Sequence, residues 1–149
     1  MSDGNAGSLG DAGYWPTNRV GQIVHAAVRA VVGFLIACHG AQAFFGEDPA
    51  EFGDWPSWYA GILELGGGLL VIVGLFTRAS AFVLSGVMAF AYFTVHQSRG
   101  ALPISNDGEQ AASYSWIFLL FVVIGAGKYS LDHVIASRRG ARQPQAAGV

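Results

Sequence analysis

The chain has 149 residues, of which 52% are apolar, 13% aromatic and only 12% charged, about half the charged share of an ordinary soluble domain. A net charge of −2 gives no basic field for nucleic acid, and the lone Cys38 excludes an internal disulfide, a CxxC couple and a Cys-rich zinc or iron–sulfur site. The apolar residues fall in four long blocks, so the expected fold is all-α: an integral membrane four-helix bundle over residues 20–136, with the lipid bilayer as its solvent.

Residues 1–19 lack the basic start and apolar core of a signal peptide and read as a retained, mobile tail. The first block, 20–45, places His25, Arg29, Gly33, Ile36 and Gly40 on one face, with His39 close beside it. The loop 46–56 carries Glu47, Asp48, Glu51 and Asp54 and no basic residue. In the second block, 57–76, Gly61, Glu64 and Gly68 form a small–acid–small face that lets a neighbouring helix approach. The three glycines 66–68 read as close packing and not as a phosphate loop, because no strand precedes them and no Lys follows. The third block, 78–96, repeats Ser85, Ala89, Tyr92 and His96 along one side, and the fourth, 110–127, does so with Glu109, Ser113 and Trp116. Residues 137–149 are rich in Arg, Gln, Ala and Gly and read as a disordered tail. Continuous runs such as LLVIVGLF and IFLLFVVIG argue against the alternating pattern of a membrane β-barrel.

Lys and Arg set the expected orientation. Arg19, Arg78, Lys128, Arg138, Arg139 and Arg142 flank one side, and only Arg99 lies on the other, which predicts both termini in the cytoplasm of a multi-pass bacterial inner-membrane protein. With a rise of 1.5 Å per residue, His39, Gln42, Glu64, Tyr92, His96 and Glu109 then gather in the outer half. Arg29 lies below them, at a level roughly 8 Å from Glu64, within reach of its long side chain. The expected arrangement is a buried Arg29–Glu64 pair, either part of a polar site or a device that fixes helix register. Each other polar residue also has a plain structural reading: His25 and His133 solvated at the cytoplasmic border, Glu109 favoured at a helix N-terminus, Cys38 a small core residue. His39 and His96 lack the further signature that a b-type haem would require, and no metal, flavin or dinucleotide motif is present.

From Arg29 to Asp132 the chain resembles the DoxX family of small bacterial membrane proteins. The resemblance rests on RAVVG, on HGAQAFFG from His39 to Gly46, on ELGGGLLVIVGLFTRASA from Glu64 to Ala81, on the His96 region, on NDGE from Asn106 to Glu109, and on GAGKYSLD from Gly125 to Asp132. The family's first-helix motif usually ends in a lysine three residues after the glycine, where this chain has Ala43. The resemblance implies a four-helix bundle. It also implies a redox role, because some DoxX-like proteins are subunits of thiosulfate:quinone oxidoreductases and others associate with a superoxide dismutase and a thiosulfate sulfurtransferase. The expectation by analogy is therefore a membrane subunit or anchor that meets a quinone and a soluble oxidoreductase or sulfurtransferase partner, not an enzyme on its own. Two readings compete with it: a small-solute or proton-coupled permeation protein, which would need a homo-oligomer to enclose a path, and a non-catalytic scaffold.

Overall fold

The computed structural model describes residues 18–140, so residues 1–17 of the expected 1–19 tail and the last nine residues lie outside the described part. Among the described residues there are five α-helices and no strands: α1 (Arg19–Phe45), α2 (Ser57–Val73), α3 (Thr77–Ala91), α4 (Glu109–Ile124) and α5 (Leu131–Gly140). A π turn, Tyr92–His96, and a 3-10 turn, Gln97–Arg99, continue α3. Helix α1 and the run Thr77–Arg99 are long and apolar enough to cross a membrane, whereas Ser57–Val73 and Glu109–Ile124 are shorter apolar helices.

Helices α1 and α2 pack antiparallel along their glycine faces. A Cβ added to Gly33 would lie 2.9 Å from the Gly68 carbonyl oxygen, and one on Gly61 would lie 2.6 Å from the Ala43 Cβ. The absence of side chains brings the two backbones together, the arrangement small residues favour in lipid. Leu84 of α3 covers Gly67, and α3 is tied to α4 by a reciprocal pair: Ser85 Oγ donates to the Ser115 carbonyl at 2.8 Å, and Ser115 Oγ donates to the Ser85 carbonyl at 3.2 Å. The core these helices enclose holds Ile36, Val71, Leu84, Met88, Phe118 and Phe121. Outside it, Val31, Phe34, Leu69, Phe82, Leu120 and Val123 stand exposed, a coat suited to lipid and not to water.

Two expected helix ends move inward. Helix α2 stops at Val73, not at residue 76, because Gly74 takes the left-handed conformation (φ 71°). Its N–H donates to the Val71 carbonyl and the Leu75 N–H donates to the Leu70 carbonyl, which together make a Schellman termination. Helix α4 ends at Ile124 before Gly125 (φ 83°). At the chain's end the correction runs the other way: α5 continues through Ser137 to Gly140, four residues into the segment expected to be disordered.

Residues 129–132 hold the α2–α3 turn shut. The Asp132 N–H donates to the Gly74 carbonyl at 2.9 Å, and the Asp132 carboxylate accepts the N–H groups of Phe76 at 2.8 Å and Thr77 at 2.9 Å. A carboxylate at a helix N-terminus meets both the free N–H groups and the positive end of the dipole. It also secures Phe76, whose φ of 49° is strained for a side chain of that size.

Candidate functional site

Arg29 is almost fully buried, at 3% exposure, yet it does not meet Glu64. Its Nη1 donates to the carbonyls of Val71 and Ile72, the latter at 2.7 Å, and its Nη2 donates to the Tyr129 carbonyl at 2.7 Å. The expected Arg29–Glu64 pair is therefore corrected. A helical side chain leans toward its own helix N-terminus, which carries the guanidinium away from Glu64 and onto the Val71 and Ile72 carbonyls at the end of α2. Val71 lies roughly 10 Å along α2 from Glu64, beyond ion-pair reach. Arg29 is thus a cap for α2 and a tie to the segment after α4.

Glu64, 6% exposed, has His39 as its neighbour instead, with Nε2 and Oε2 4.0 Å apart. Gly40 and Gly61 lie on the same two faces, and their lack of side chains seats Glu64 against α1: a Cβ on Gly40 would fall 2.8 Å from the Glu64 Cβ. Two cavities meet at this pair. The first is a cleft of about 340 Å³ between α1, α2 and α3, in which His39, Gln42 and Glu64 face an apolar wall that includes Val87, Phe90 and Val95. The second, about 170 Å³, is more enclosed and is lined by His39 and Glu64 together with His96, Asp107, Gln110 and Tyr114.

Of the seven residues expected at the polar site, His39, Gln42, Glu64 and His96 line the two cavities, and three do not. Arg29 sits near the other end of α2. Tyr92 is half-buried with its ring against Gly108, 2.8 Å from where that residue's Cβ would lie, and lines neither cavity. Glu109 is exposed at the start of α4, and Ser113 and Trp116 share its outward side, so the expected inward polar stripe of α4 faces away from the core. Ala111, Phe118 and Phe121 face inward instead. His25, expected to be solvated, is half-buried against Phe121, with ring centroids 5.8 Å apart, and its Nε2 has no hydrogen-bond partner.

Asp107, Gln110 and Tyr114 escape the sequence reading because a loop and a π turn bring them in. Asn106 is 1% exposed; its Nδ2 donates to the Gly100 carbonyl at 2.8 Å and its Oδ1 accepts the Gly108 N–H at 2.9 Å. That fixes the loop and sets Asp107 at φ 58°. The only available signal was the NDG sequence, which favours left-handed turn positions. Among the described residues, no three His, Cys, Asp or Glu side chains are arranged to hold a metal ion.

The DoxX family model matches residues 24–97, which takes in the cleft residues of α1, α2 and α3 but stops short of Asp107, Gln110 and Tyr114. An uncharacterized protein of Haemophilus influenzae is 43% identical over 118 residues, spanning 72% of this chain and 87% of that protein. The inner membrane protein YqjF of Escherichia coli is 31% identical over 74 residues, half of this chain and 57% of its own length. No solved structure matches the chain. The family match, the relative matched over most of its length, and a coat of apolar side chains around apolar helices lead to one conclusion: this chain is a membrane protein of the DoxX family.

Proposed function

We propose that the chain is a four-span inner-membrane bundle with both ends in the cytoplasm, and that it binds a quinone in the cleft as the membrane subunit or anchor of an oxidoreductase assembly. The observation that carries this reading is a carboxyl and an imidazole 4.0 Å apart at the inner end of a cleft whose other wall is apolar. A quinone needs that combination. Its ring and isoprenoid tail favour apolar and aromatic surface, here Phe90 and Val95. Its carbonyl oxygens require a donor, and the hydroxyls of the quinol require an acceptor; His39 and Glu64 supply both according to their protonation. The sequence holds no flavin or dinucleotide motif, so electrons come from a partner, a soluble oxidoreductase or sulfurtransferase of the kind the family resemblance implies. The side carrying Arg19, Arg78, Lys128, Arg138 and Arg139 is the cytoplasmic one on this reading.

The test is a lipid extract of protein purified in mild detergent from quinone-replete membranes. Wild-type protein carries bound quinone, and Glu64→Gln or His39→Ala lowers it about tenfold, the effect of losing one charge-assisted hydrogen bond. Quinone-free wild-type protein overturns the reading.

A further inference from the structure

The two cavities share His39, Glu64 and Ala91 and otherwise differ in character. The cleft is walled by Val87, Phe90 and Val95, whereas the inner compartment presents His96, Asp107 and Gln110. A single binding site would not need a second, polar space behind its carboxyl.

The geometry around His96 gives that space a direction. His96 Nδ1 lies 3.1 Å from the Asn106 carbonyl oxygen. A carbonyl oxygen only accepts, so Nδ1 carries the hydrogen, and in the neutral imidazole this leaves the lone pair on Nε2. The π turn from Tyr92 to His96 adds a residue to the helical repeat and so re-aims the side chains after it; such turns recur at functional sites. Asn106, buried and bonded on both sides, holds the rim of the compartment in place.

We infer that the compartment bounded by His96, Asp107, Gln110 and Tyr114 is a water-filled proton entry to Glu64, open to the extracytoplasmic side and separate from the lipid-facing cleft. This inference rests on the proposed function for its orientation and for the occupant of the cleft. A volume of about 170 Å³ accommodates about six waters at their liquid density, and the lining offers the polar partners such waters require. The titratable groups that face Glu64 here come from every side: His39 from α1, His96 from the end of α3, Asp107 from the loop and Tyr114 from α4. The step is proton transfer alone: the Glu64 carboxyl gives its proton to compartment water, or takes one back, and no electrons move. Ligand and protons then reach the same carboxyl through different openings.

Cysteine accessibility in the full-length protein tests this, with native Cys38 replaced by serine. Ala111 and Met88 are buried, at 8% and 3% exposure, and both line the compartment. In spheroplasts, a membrane-impermeant cationic thiosulfonate should modify Ala111→Cys, and Met88→Cys on the facing wall, about tenfold faster than Val71→Cys, a core position outside both cavities, since a thiol reacts as its thiolate where water reaches it. The two compartment variants guard against a failure of either one to fold. No reaction at either position in folded protein overturns the proton entry, and bound quinone measured in the same preparations shows whether the proposed function stands without it. Reaction only from the cytoplasmic face of inverted vesicles overturns the inference and the orientation together. Rapid outside labelling in a wild-type background that carries no quinone keeps the entry and removes the proposed occupant.

Discussion

Arg29 shows what a single residue's chemistry does and does not disclose. Its position in an apolar block already requires burial with partners, because a charge in lipid is costly. The identity of those partners depends on side-chain direction, and three backbone carbonyls, two closing α2 and one at Tyr129, take the place of the expected carboxylate. Arg29→Met should therefore destabilise the protein by about 2–4 kcal/mol, because the Ile72 and Tyr129 carbonyls lose their guanidinium donor, read as a fall in thermal stability in detergent. Because Arg29 and Glu64 do not touch, adding Glu64→Leu should not rescue it. The two effects should sum to within about 0.5 kcal/mol; recovery in the double mutant would restore the ion pair. Asp132, the last residue of GAGKYSLD, closes the α2–α3 turn. Asp132→Asn keeps one acceptor and loses the charge, so it should cost about 1 kcal/mol, with Asp132→Ala costing about twice that.

At the scale of the element, the helix faces of α1 and α2 are well legible because small and polar residues recur at helical spacing, and Gly33, Gly40, Gly61, Glu64 and Gly68 are all buried as that spacing requires. Helix α4 misleads for the opposite reason: its apolar residues lie all round, so neither their pattern nor the Glu109–Ser113–Trp116 stripe points to the core. The three consecutive glycines give a sharp test. A Cβ on Gly66 meets nothing within 4 Å, while one on Gly68 would lie 2.7 Å from the Gly33 carbonyl oxygen and 2.8 Å from the Ala37 nitrogen. Gly66→Ala should be neutral or stabilising by up to about 1 kcal/mol through helix propensity. Gly68→Ala should separate α1 from α2 and cost about 1–3 kcal/mol. Equal melting temperatures for the two variants would refute this packing.

For the molecule as a whole, composition and the four apolar blocks disclose the all-α fold, and four of the seven expected site residues reach the His39–Glu64 junction. The inner compartment stays hidden, since it depends on a π turn and a left-handed Asp107 that carry no periodic signal. Orientation is checked by labelling: an impermeant probe should react from outside with Glu51→Cys and only after permeabilisation with Ser137→Cys, both at exposed positions, and the reverse pattern would invert the topology. The Arg29–Tyr129 hydrogen bond joins residues 100 positions apart, and this bears on how the protein is made. In chain order α1 and α2 precede the partner for Arg29 Nη2, and α3 precedes Asp132, the acceptor for its N-terminus. Until residues 129–132 are made, Arg29 Nη2 lacks its Tyr129 acceptor and the α2–α3 turn lacks its Asp132 cap. A chain cut short before Tyr129 loses the Arg29–Tyr129 bond and the Asp132 cap together, so it should melt below the full-length protein in detergent.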